Sequence, residues 1–108
     1  MQNLMRSGDR SWALFLGHLV LEKLLKAHFV KKNRMHAIHS HDLLRLATKA
    51  GLELTADRVE WLDVVSTFNI NARYDSYKHS FYRQCTTEFT VLWSGRIAEI
   101  RTWLISGL

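Results

Sequence analysis

The chain has 108 residues, 47% of them hydrophobic, with four Trp, three Tyr and five Phe; that is enough apolar surface for one compact core and too little length for a second domain, so residues 1–108 read as a single unit. Fifteen Lys and Arg against ten Asp and Glu give a formal charge of +5, which favours polyanionic partners such as RNA or acidic protein faces. The lone cysteine, Cys85, excludes an internal disulfide and fits a reducing compartment, hence a cytoplasmic location.

The first element is an amphipathic helix between Ser11 and Lys32, where Trp12, Phe15, Leu16, Leu19, Val20, Leu24 and Phe29 recur at three- and four-residue intervals. Its most apolar stretch, Trp12 to Leu21, is broken by Gly17 and His18 and runs into Glu22, Lys23 and Lys26, so it excludes a membrane span, and it lacks the small-residue cleavage site of a signal peptide. Glu22 and Lys26 stand four residues apart, a favourable pair on one helix face. Residues 33–39 break the period. Ser40 is the expected N-cap of a short helix through Leu43, Leu44, Leu46 and Ala47, which Gly51 stops. Thr55 is the next expected N-cap, with Arg58 in place of the acid that a capping box needs. Val59, Leu62, Val65 or Ser66, Phe68 or Asn69, and Ala72 then form a third helical stripe.

Tyr74 to Tyr82 is polar and aromatic without a period and reads as a loop, with room for the first turn of the last helix. That helix runs from Thr86 or Thr87 to Ile105, with Phe89, Leu92, Trp93, Arg96, Ile97, Ile100, Trp103 and Leu104 facing inward. No proline interrupts the chain and no strand alternation is sustained. The prediction is an all-α, up-and-down four-helix bundle. A domain this small that leaves an apolar face uncovered tends to self-associate, so a homodimer is expected.

Three segments carry a resemblance to a known family. His18-Leu-Val-Leu-Glu22-Lys-Leu-Leu-Lys26-Ala27 is similar to the helix signature of HEPN domains (higher eukaryotes and prokaryotes nucleotide-binding domain), whose core is Glu-Lys-x-x-Lys-Ala. His41-Asp42-Leu43-x-x-Leu46 resembles the His-Asp-Leu segment that opens the family's next helix, and Asn71-Ala72-Arg73-Tyr74 resembles the Arg-Tyr dipeptide closing its third long helix, which points to the Arg-Tyr branch. The order of the three is that of the family. The resemblance implies a HEPN-like bundle whose usual N-terminal helix is truncated or absent, Met1 to Gly8 matching only its last turn.

Catalytic members of the family carry an Arg followed, after four to six residues, by a His; Arg73 and His79, with five residues between them, are similar. Such a pair cleaves RNA without a metal. The imidazole exchanges a proton with the ribose 2′-hydroxyl or the leaving oxygen, and the guanidinium steadies the phosphate, leaving a 2′,3′-cyclic phosphate and a free 5′-hydroxyl. DNA, lacking that hydroxyl, is expected to be inert. Family precedent puts the site in a cleft between two subunits, where Lys78 and Arg83 would attract RNA phosphates while Tyr74, Tyr77 and Tyr82 would offer stacking faces. No cofactor and no metal are implied.

The alternative is a non-catalytic nucleotide-binding or protein-interaction module that works with a separately encoded nucleotidyltransferase, in which Arg73 contacts a phosphate or holds the fold. In some toxin-type members a tyrosine two residues after the histidine is adenylylated by such a partner; Tyr82 follows His79 by three and departs from that pattern. His36, His39 and His41 match no zinc spacing, and His41 with Asp42 is better read as helping to open a helix. Glu22 and Lys26 read as an intrahelical structural pair, and Trp12, Trp61, Trp93 and Trp103 as core or dimer contacts.

Overall fold

The computed structural model describes residues 7–108, with side chains from Asp9 onward. Its helices are α1 (Ser7–Asn33), α2 (Leu43–Lys49), α3 (Ala56–Arg73), α4 (Asp75–Gln84) and α5 (Thr87–Ser106), and there is no strand among the described residues. Ser7 and Gly8 belong to α1 itself, and the rest of the segment expected to match a preceding helix, Met1–Arg6, lies outside the described residues.

The caps explain most of the boundaries. The Thr55 and Thr86 hydroxyls accept from the backbone N–H groups of Arg58 and Phe89, each at 3.2 Å, and so satisfy donors that α3 and α5 would otherwise leave open. Gly51, at φ +73°, ends α2 in the left-handed conformation that glycine adopts without steric cost. Ser40 is not the cap of α2. Asp42 takes that place, its Oδ1 accepting from Arg45 N at 3.2 Å, while Ser40 Oγ accepts from Asp42 N at 3.1 Å and folds the residue before the helix.

The segment expected to be a loop, Tyr74 to Tyr82, is mostly α4. One extended residue, Tyr74 at φ −97° and ψ 128°, closes α3 and opens α4, and its carbonyl accepts from the N–H groups of Tyr77 and Lys78 at 2.9 and 3.0 Å. Phe81 is the one buried residue of this helix, so its apolar content is too small to show a period.

α1 is the central element and touches all four others. Leu14, Leu21 and Leu25 pack with Leu43, Leu46, Leu62, Val65, Ile100 and Leu104 in the core, each such burial stabilising by about 1.5–3 kcal/mol. Phe68 of α3 joins the last two helices to this core, its ring centroid 5.3 Å from that of Phe81 and 5.9 Å from that of Trp93. The inward side of α1 is shifted from the expected stripe: Trp12, Leu16 and Val20 are 53%, 41% and 40% exposed. A helix apolar around most of its circumference offers several faces of similar hydrophobicity, and packing rather than pattern selects one. Leu92 of α5 likewise faces outward.

α1 and α5 cross closely at Gly17, where an added Cβ would lie 2.8 Å from Ile97 Cδ1. Between α3 and α5, charged stacking adds to the contact of Phe68 with Trp93. The Arg96 guanidinium sits 4.9 Å from the ring centre of Trp61 and 4.7 Å from that of Trp93, and that of Arg58 sits 4.1 Å over Trp103.

Candidate functional site

Along one side of α3, Asp63, Ser66, Ile70 and Arg73 follow one another at three- and four-residue steps, with Thr67 four after Asp63 and three before Ile70, and therefore form a stripe. Together with Asn69, Tyr74 and the residues entering α2, His41 and Asp42, they line a cleft of about 490 Å³. At its α2 side the cleft is bounded by Ser66, whose Oγ ties α2 to α3 by accepting from Leu43 N at 2.9 Å and donating to Leu62 O at 2.8 Å. Arg73 Nη1 reaches the Oδ1 of the buried Asn69 at 3.5 Å. Among the described residues no carboxylate pairs with Arg73, which leaves its guanidinium free for an anion.

His41 is fixed at two points, both from α1. Its backbone carbonyl accepts from Nε2 of His18 at 2.9 Å, and its ring Nδ1 donates to Oε1 of Glu22 at 2.7 Å. The other oxygen of Glu22 accepts from Lys26 Nζ at 3.0 Å. Burial alone would raise the Glu22 carboxyl, but the hydrogen bonds from His41 and Lys26, with the charge of Lys26, more than offset it and hold the group below its ordinary value. Glu22 is thus an anion at neutral pH. His18 is wholly buried, and desolvation pushes its imidazole below its ordinary value. With Nε2–H given to His41, its Nδ1 has no hydrogen-bond partner and stands 4.0 Å from Oε1 of Glu22. The Glu22 and Lys26 pair seen in the sequence is therefore real, and it also carries His41, across a loop.

The remaining sequence-selected residues lie elsewhere. Lys78, His79, Tyr82 and Arg83 are all exposed, and their spacing places them on one face of α4, away from Phe81. Lys78 Nζ approaches Asp75 Oδ1 at 3.6 Å in solvent, a contact worth little. Lys78 and Tyr82 also border a smaller hollow of about 240 Å³ with Ser11, Trp12, Ala72 and Phe81. Within one chain the cleft thus gathers Arg73, Tyr74 and His41, while His79 is not among its lining residues.

Sequence reasoning selected Arg73 and Tyr74 but gave His41 and Glu22 only structural parts. The one available signal was the four-residue repeat of His18, Glu22 and Lys26, which puts three polar groups on one side of an otherwise apolar helix. Nothing in the spacing ties that row to His41. His36 and His39 are separate and exposed or nearly so, and among the described residues no group of three or more His, Cys, Asp or Glu is placed to hold a metal ion. Cys85 is buried, and desolvation pushes its thiol up to about 11. Among the described residues no helix is long and apolar enough to cross a membrane.

Comparison with known proteins agrees with the resemblance in the three motifs: the family model described as the HEPN domain matches residues 1–99. No curated protein and no solved structure matches the chain.

Proposed function

Because the chain belongs to the HEPN domain family, we propose that it is an RNA-directed, metal-independent endoribonuclease acting as a homodimer, with Arg73 and His79 as its central pair. The observation that carries this reading is the outer face of α4. Residues selected through the family resemblance, Lys78, His79, Tyr82 and Arg83, share that face, which offers a proton-transfer group beside two cations and an aromatic ring. Arg73 stands at the end of α3, one extended residue before α4, with its guanidinium unpaired by any described carboxylate. In this reading a second copy brings the two residues to one phosphate. The exposed row of Trp12, Leu16 and Val20 on α1 supports self-association. A nucleotidyltransferase acting as antitoxin is the partner proposed for such a toxin.

The test is cleavage of a labelled RNA pool with excess chelator. Wild type is expected to leave 2′,3′-cyclic phosphate ends, and Arg73→Ala and His79→Ala to lose cleavage while keeping their circular dichroism and dimeric state. Failure of wild type to cleave, when folded and dimeric, removes this reading.

A second reading, a nucleotide-binding module working beside a nucleotidyltransferase, is favoured by the cleft. Its volume of about 490 Å³ falls within the range of small-molecule sites, and it holds Arg73 and Tyr74 without His79. Saturable thermal stabilisation by an adenine nucleotide, lost in Arg73→Ala, is its expected signature.

A further inference from the structure

We propose that His41, with Glu22 as its positioning residue, works with Arg73 in contacting the phosphate of a ribonucleotide in the α2–α3 cleft; this rests on the reading that the cleft takes a nucleotide.

The restraint on His41 is greater than the fold requires. α2 is already capped by Asp42, and its first N–H is already satisfied by Ser66. Yet two buried groups of α1, His18 and Glu22, are committed to His41, one to its carbonyl and one to its ring. Removing a carboxylate from water is costly, and a residue that only opens a helix would not need it. The effect of Glu22 is to choose the tautomer. An ionised carboxylate at Nδ1 holds a proton there, just as an outer carboxylate orients a catalytic histidine, and leaves Nε2 as the working nitrogen; in contact with a phosphate oxygen Nε2 carries a proton and donates, and the anionic Glu22 offsets the charge of the doubly protonated ring. Nε2 has no hydrogen-bond partner among the described residues, and the side chain is 55% exposed while its residue lines the cleft.

The polarity of the cleft selects the ligand. Arg73 lies at one end and Asp63 at the other, ten residues apart on α3 and so about 15 Å along its axis. Ser66, Thr67 and the Asn69 amide lie between them, and Ile70 and Tyr74 add apolar faces. Asp42 also lines the cleft, but its Oδ1 is occupied by the N–H of Arg45. A molecule with an anionic group at one end and hydroxyl or amino donors at the other fits this sequence of groups. A phosphorylated ribonucleoside, free or as one unit of an RNA strand, has that order.

The experiment is isothermal titration of the full chain with ADP, with inorganic phosphate and with a short RNA oligonucleotide. The variants are Arg73→Ala, His41→Asn and Glu22→Gln. Asn keeps an N–H where Nδ1 stood, so it preserves the bond to Glu22 and removes only Nε2. ADP is expected to bind wild type, to lose binding in Arg73→Ala, and to bind His41→Asn about tenfold or more weakly at unchanged melting temperature. In Glu22→Gln, nitrogen-15 spectra of the His41 ring should show the Nε2–H tautomer gaining at the expense of Nδ1–H together with weaker ADP binding by the folded protein, whereas a purely structural carboxylate would leave that affinity unchanged. Binding of the oligonucleotide but not ADP, with the same dependence on His41, assigns the phosphate to RNA and supports the proposal. If Arg73→Ala abolishes binding while His41→Asn binds as wild type does, the role of His41 is overturned and the nucleotide reading stands. If none of the three probes binds wild type, the nucleotide reading fails and the role of His41 with it.

Discussion

The Nδ1 atom of His41 lies 2.7 Å from Oε1 of Glu22, so a residue of the α1–α2 connection is bound to a carboxylate in the middle of α1, nineteen positions earlier in the chain. The folded carboxyl sits below its ordinary value of 4.5, and the unfolded chain therefore takes up this proton first. The resulting stabilisation is complete above that value and is lost as pH falls through the depressed one. Glu22→Gln should lower stability at neutral pH by about 1–3 kcal/mol and flatten the acid limb, as read from urea midpoints between about pH 7 and about pH 3. An acid limb as steep as that of wild type would separate Glu22 from the acid response.

His18 acts in a higher window with the same sign. Burial lowers its folded value below 6.5, so protons bind the unfolded chain preferentially and the stabilisation, complete above 6.5, declines as pH drops below it. His18→Gln places an amide N–H near the position of Nε2, keeps a donor for the His41 carbonyl and does not titrate. The loss of stability just below pH 6.5 should disappear in this variant while the more acidic limb due to Glu22 persists. If the upper limb is unchanged, another group is responsible for it.

The crossing of α1 and α5 predicts a coupling between Gly17 and Ile97. Alanine in place of a helical glycine gains about 1 kcal/mol intrinsically, but here the new Cβ would meet Ile97 Cδ1 at 2.8 Å. Ile97→Val removes that methyl group. Gly17→Ala is therefore expected to stabilise the Ile97→Val background by more than it does wild type, with a coupling of at least about 0.5 kcal/mol in a double-mutant cycle. Additive effects would mean that Ile97 moves aside at no cost.

Phe81 roots α4 against Phe68, and Cys85, whose N–H donates to Phe81 O at 3.0 Å, follows directly. Phe81→Ala should cost about 3–5 kcal/mol and expose this corner first. Cys85 is the natural reporter, because its buried thiol, pushed up to about 11, is inert until the corner opens. Thiol labelling should accelerate markedly in Phe81→Ala at temperatures where the far-ultraviolet circular dichroism of both proteins is still native. Equal labelling rates would place the opening elsewhere.

α1, α3 and α5 were legible because each is long and because Thr55 and Thr86 mark two of their starts with side chains that have one strong local use. The end of α2 was legible for the same kind of reason, since the φ of +73° at Gly51 is one that glycine takes freely. α4 was hidden because a helix with one buried side chain has no apolar rhythm. The inward face of α1 was misplaced because Trp12, Leu16 and Val20 are as apolar as the residues that won the core. At the candidate site, Arg73 stood out through its motif, whereas the bond between Glu22 and His41 depends on how a loop returns to a helix, which local pattern does not encode.

α4 has one side that anchors and another that faces mainly solvent. Lys78, His79, Tyr82 and Arg83 are all exposed, so the core depends little on their identities. A library of helix-compatible residues, without proline or glycine, at these four positions should therefore largely keep the fold, and the short helix becomes an interchangeable cassette on a fixed frame. The surface chemistry of α4 can thus be changed without touching the core.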